Sequence, residues 1–191
     1  MACGYCLLEL VFASSLAVVI SAIAVPSFLA SLAEQRTAAA VRYVSTHCAR
    51  ARMEAIKSGH DVAIRFTADA DGVAYAMYAD GNGDGVRTRD IEQGIDTRLL
   101  PPERLSFTFP GVEFAVPSGL PPVDAGALTD GDPLKMGASN LLSYSPAGTS
   151  TSGSLYIRGA NGTQYVPRLY GETGKSRALR FHARSGRWVP A

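Results

Sequence analysis

The chain has 191 residues, 47% of them hydrophobic and 18% charged, with a mean hydropathy of +0.07 and a formal net charge of +1. That composition excludes a disordered polypeptide, and the length suits one domain with a buried core, or a small domain plus an anchor. The charge excludes a uniformly basic nucleic-acid binder only as an average. Residues 1–33 carry one acid (Glu9) and no base, 34–60 five bases and two acids, 61–135 six bases and thirteen acids, and 136–191 seven bases and one acid.

The first predicted element is an anchor. Residues 10–33 hold no charge, and at ~1.5 Å per residue they make about 36 Å of helix, enough to cross a bilayer core of ~30 Å. A secretory signal peptide would want a basic start, a shorter apolar run and a small-residue cleavage site after it. A lipoprotein signal fails because neither Cys3 nor Cys6 follows the apolar run. Glu9, at the edge of the span, is costly to bury unless paired, which marks it as functional.

The stretch Gly4-Tyr5-Cys6-Leu7-Leu8-Glu9-Leu10-Val11 resembles the processing motif of type IV prepilins and type II secretion pseudopilins. The resemblance implies a leader (residues 1–4) removed by prepilin peptidase, with cleavage after Gly4, N-methylation of Tyr5 and Glu9 as the assembly acid. Pro26 falls where the family's helices usually carry a proline; it removes one helical hydrogen bond and predicts a kinked or loosened span. Cleavage creates a cation at Tyr5, and in staggered subunits the Glu9 carboxylate of one meets the amine of its neighbour. An intrachain pair one turn apart is the competing arrangement. The leader lacks the usual Lys or Arg, and Cys6 stands where Thr or Ser is common.

Beyond the span (residues 5–33), Val41, Val44, Cys48, Ala51 and Ala55 recur at steps of three and four. They predict an amphipathic helix over 34–59, continuous with the span, packed on a head and stopped at Ser58-Gly59. The remaining residues, 60–191, read as β. Val62/Ile64/Phe66, Leu105/Phe107/Phe109 and Val112/Phe114/Val116 alternate; Leu155 with Ile157, 165–170, and Leu179 with Phe181 follow. Turns are expected at Asp71-Gly72, Pro110-Gly111, Ala147-Gly148 and Asn161-Gly162, and a long loop at 117–138. The fold class is thus α+β: a long amino-terminal helix followed by an antiparallel β-sheet head.

The head extends the resemblance. Asp80-Gly81-Asn82-Gly83-Asp84-Gly85, Tyr144-Ser145-Pro146-Ala147-Gly148-Thr149 with the following Ser152–Ile157 hairpin, and Gly186-Arg187-Trp188-Val189 look in order like the acidic loop, late hairpin and closing strand of the GspH/FimT family of minor pseudopilins and type IV pilus minor pilins. Membership implies a pilin-like fold and an inner-membrane, single-pass subunit with its head in the periplasm. The implied partners are prepilin peptidase and other pseudopilins or pilins in a filament. Type II secretion is the first assignment, a type IV pilus the second.

Four constellations bear on chemistry. Asp80, Asn82, Asp84 and Gly85 open a calcium-loop pattern, but its twelfth place holds Ile91, flanked by Asp90 and Glu92. A solvated acidic turn is the favoured reading, with calcium on Asp80, Asn82, Asp84 and Asp90 kept as the alternative; no other cofactor is expected. Gly174-Lys175-Ser176 mimics the end of a phosphate-binding loop whose first glycine would fall on Leu169. His47, His60 and His182 are scattered, no nucleophile turn is present, and Cys48 is alone in the head, so no enzyme is expected. Finally, Arg158, Arg168, Lys175, Arg177, Arg180, Arg184 and Arg187 face only Glu172. Pairing of this tail with the acidic 61–135 segment is the favoured reading. DNA binding through Lys175, Arg177, Arg180 and Arg187 is the alternative, suggested by pilins that resemble this family and take part in DNA uptake.

Overall fold

The computed structural model describes residues 7–123, 131–137 and 139–191. Helix α1 (Leu7–Ser58) is continuous through Pro26. It is one element with two environments. Side chains up to Leu29 lie uncovered, whereas Thr37, Ala40, Val41, Val44, Cys48, Ala51 and Ala55 are buried against the head. The five-residue stripe read from the sequence is thus the packed face, extended toward the apolar half of the helix by Thr37 and Ala40. The helix ends where expected: Gly59 has φ +73 and its N–H donates to Ala55 O at 3.0 Å.

The head follows as β1 (Val62–Asp69), β2 (Gly72–Ala79), α2 (Thr88–Glu92), β3 (Thr97–Arg104), α3 (Leu105–Thr108), β4 (Glu113–Phe114), β5 (Leu134–Lys135), β6 (Leu141–Tyr144), β7 (Gly153–Leu155), β8 (Ile157–Arg158), β9 (Gln164–Tyr170), β10 (Lys175–His182) and β11 (Arg187–Pro190). One sheet runs β3-β2-β1-β6. The other runs β11-β10-β9-β7-β5, with β8 joined to β9 and β4. The pairings are antiparallel. The inner faces of both sheets close on the α1 stripe, and Val62, Ile64, Leu142, Tyr144, Leu155, Ile157 and Leu169 join it in one core. This is a long apolar helix followed by antiparallel sheets, an α+β layout.

Several expectations need correction. Leu105, Phe107 and Phe109 do not form a strand. They make the turn of α3 and its exit, with Phe109 N–H bonded to Leu105 O at 2.7 Å, so Leu105 is buried while Phe107 is 80% exposed. Pro110 and Gly111 turn the chain immediately afterwards, with Val112 N–H bonded back to Phe109 O at 3.0 Å, and among the described residues no strand pairs with this segment. Of the Val112–Val116 alternation only Glu113 and Phe114 form a strand, against the two-residue β8, and Ala115 N–H adds one bond to Tyr156 O at 3.1 Å. Leu155 and Ile157 belong to two short strands in one register, interrupted at Tyr156, whose N–H turns to Pro133 O. The interruption falls opposite the part of β9 carrying Pro167, which has no N–H for the ladder. Within the expected 117–138 loop, Leu134 and Lys135 form β5 against β7.

Candidate functional site

Glu9 sits in the first turn of α1 and is exposed, with no ion pair among the described residues. Gly4, Tyr5, Cys3 and Cys6 lie outside the described residues. From Leu7 to Leu29 the large apolar side chains are mostly more than half exposed, including Leu7 at 81% and Ile23 at 73%. The polar groups among them are satisfied locally: Ser14, Ser15 and Ser27 hydroxyls donate to the carbonyls of Val11, Phe12 and Ala24. That is the arrangement a helix needs where water cannot supply partners. Its length and hydropathy suffice to cross a membrane.

The acidic loop is a folded knot. Asp80 Oδ1 accepts the N–H groups of Asn82 (3.0 Å) and Gly83 (2.8 Å), and Oδ2 that of Gly85 (3.0 Å). Burial works to raise the Asp80 pKa, but these three donors outweigh it and hold the carboxyl below the usual range. Asp61 beside it is pushed up, first by burial and then by the Asp80 charge. Asn82 Oδ1 accepts from Asp84 N–H, Asp84 pairs with Arg87 at 2.8 Å, and buried Asp90 pairs with Arg89 at 3.3 Å. The sequence missed Asp96, a buried carboxylate that accepts from Gly81 N–H and Arg87 N–H and ties the loop to α2. The loop's carboxylates are thus engaged by its own backbone and arginines, except that Asp90 Oδ2 is buried without a hydrogen-bond partner among the described residues. No group of three or more His, Cys, Asp or Glu in metal-holding arrangement occurs among the described residues.

The basic tail splits over two faces of β10. Lys175 and Arg177 are exposed on the outer face, with Arg177 opposite Arg168 of β9. Arg180 points to the helix side, pairs with Glu34 of α1 and lies over the Tyr165 ring at 5.9 Å. Arg187 is directly across from His182, which shares that helix side. The four residues read as one basic set are therefore two pairs. Nor does the acidic 61–135 segment neutralise Arg180: among the described residues, Arg65 pairs with Glu92 and Arg104 with Asp69 inside that segment, while Arg180 takes Glu34. The reason is topological, since β10 lies along α1 and in the other sheet from β1–β3.

A second cluster joins α1 to the β2–β3 edge. Tyr43 and Tyr75 hydroxyls both donate to Glu103 Oε2, at 2.9 and 3.4 Å. The His47 ring stands edge-on to both tyrosines, centroids 4.5 and 5.8 Å away. Burial lowers the His47 pKa, partly offset by Glu103 and reinforced by Arg50. Further along the helix, burial pushes the Cys48 thiol up to about 11, which keeps it protonated beside Tyr144. No sequence pattern marks this cluster, because its members are contributed from separate elements. Compared with known proteins, the chain matches no family model, no curated protein and no solved structure.

Proposed function

We propose that this chain is a minor pseudopilin of the GspH/FimT type, a structural subunit of a type II secretion pseudopilus rather than an enzyme. The observation that supports it is the division of α1: an uncovered apolar half ending near Leu29 and a half from Thr37 that forms the core of the head. Such a helix needs lipid at first and neighbouring helices later, and a filament core built of staggered subunits supplies the second. Prepilin peptidase cuts after Gly4 and methylates the amine of Tyr5, while the head stands in the periplasm. Glu9, exposed and without a partner in its own described chain, is then available to the amine of the next subunit.

Mass spectrometry of the mature amino terminus tests this reading. N-methyl-tyrosine from Tyr5 is expected, and an intact Met1 or a cut further along overturns it. Glu9→Ala should leave the protein in the membrane yet block its incorporation into filaments; normal incorporation counts against the pairing. The exposed Lys175 and Arg177 on one face of β10 favour a second reading, a type IV pilus minor pilin that captures DNA. Duplex binding that weakens steeply with salt and with Lys175→Ala/Arg177→Ala would select it.

A further inference from the structure

Two contacts fix the direction of β10 against α1. Gly174, just before β10, packs on the Arg52 side chain, and Arg180, near its end, pairs with Glu34. From Arg52 to Glu34 the helix runs back toward its apolar half, so β10 runs the same way, from the far end of the head to the end nearest the span. The β8–β9 turn reaches the same level, where Gly159 lies so close to Thr37 that a Cβ would sit 2.1 Å from Oγ1. Past Arg180 the strand continues two residues to His182, on the order of 7 Å at ~3.3 Å per residue, and the tight 183–186 turn carries Arg184 a little further. Measured along α1 at ~1.5 Å per residue, that brings the turn level with roughly residues 25–30. The exposed apolar stretch of α1 ends there, at Leu29.

The side chains gathered at this end are basic. His182, Arg184 and Arg187 are exposed on the hairpin, and Arg36 and Arg42 are exposed on α1. Arg42, Arg180 and His182 line one cleft of about 390 Å³ between the helix and the β10–β11 edge, floored by Ala38, Val41 and Val189. Glu34, the acid in their midst, is taken by Arg180. A positive surface held at the depth where an apolar helix leaves a bilayer meets phosphate headgroups before any other anion. Basic side chains are attracted to anionic lipid headgroups wherever a leaflet carries them, and the attraction decays within a Debye length.

We infer that the β10–β11 hairpin, with Arg184, Arg187 and the neighbouring Arg36 and Arg42, is a membrane-docking foot that rests on anionic phospholipid headgroups around the exit of α1. The inference depends on the reading that the apolar half of α1 spans a bilayer. Because α1 and the head are one body, docking fixes the tilt of the whole subunit in the membrane while it waits there, and extraction of the subunit must break it.

The full chain, reconstituted in nanodiscs of pure phosphatidylcholine or with about 30% phosphatidylglycerol, tests it by amide hydrogen exchange at residues 182–187. Exchange should be roughly fivefold slower with phosphatidylglycerol at low salt. That protection should disappear in high salt and in Arg184→Glu/Arg187→Glu, while exchange at β3, in the other sheet, stays unchanged. Equal exchange in both discs overturns the foot and leaves the span reading intact. Failure of the chain to enter either disc overturns the span reading and the foot with it. Protection by added duplex DNA but not by phosphatidylglycerol assigns the surface to nucleic acid and overturns the lipid assignment.

Discussion

Arg52 Nε donates to the carbonyl of Gly148 at 2.9 Å, and the same side chain occupies the space beside Gly174. One helical residue thereby holds the loop after β6 and the turn before β10, which belong to different sheets. Gly174 has φ +60, and a Cβ there would lie 2.3 Å from Gly148 O and 2.9 Å from Arg52 Cδ. Gly174→Ala should therefore cost about 2 kcal/mol, through left-handed strain and the displaced arginine. Thermal unfolding of the full chain should show a midpoint lower by roughly 4–8 °C. An unchanged midpoint would mean that Arg52 does not join the sheets.

His47 makes the head acid-sensitive. Its Nδ1 is buried without a hydrogen-bond partner among the described residues, and Tyr43, Tyr75, Glu103 and Arg50 surround it. Because burial depresses its folded-state pKa below the ordinary 6.5, the unfolded chain binds the proton more readily. The His47 contribution is thus fully present above about pH 6.5 and is lost as pH falls through the folded-state value. Urea midpoints should drop between about pH 7 and pH 5 in the wild type, and drop less in His47→Gln. Parallel pH profiles for the two proteins would exclude His47 as the sensor.

For the acidic loop, Asp80→Ala removes the acceptor of three backbone N–H groups and should cost about 2 kcal/mol. Asp80→Asn should fall between, since its one oxygen can still take Asn82 and Gly83 but its amide nitrogen cannot accept from Gly85. Because the Asp80 pKa is lowered on folding, its contribution is present above about 3.8 and lost as pH falls through the folded value. Hydrogen exchange at 82–85 should accelerate in both variants, more in the alanine one. Equal protection in all three proteins would show that the loop holds without its carboxylate.

What the sequence made legible was whatever repeats along the chain. Val41, Val44, Cys48, Ala51 and Ala55 share a face by period alone, and all five are buried. The β1–β2 hairpin turns on Ala70 and Asp71, one residue before the expected Asp71-Gly72, because a local turn needs only local residues. Leu105, Phe107 and Phe109 misled because alternation over five residues says nothing about whether a partner strand exists. Strands of two residues, such as β5, bury too little to leave a pattern. The candidate surfaces divide the same way. Glu9 and the apolar span could be read directly, whereas the Arg180–Glu34 pair, the Tyr43–Glu103–Tyr75 cluster and the direction of β10 depend on chain reversals that only the fold supplies.

The continuity of α1 has a mechanical consequence. The exposed apolar residues and those that build the head's core lie on one rod without a hinge segment between Leu29 and Thr37. A pull on the amino-terminal end is therefore delivered as shear along β1 and β10, resisted by many side chains at once, with Glu34–Arg180 at the near end and Arg52 at the far end. Sheared sheets yield later than peeled ones, so the head should travel intact with its helix when the amino-terminal end is pulled.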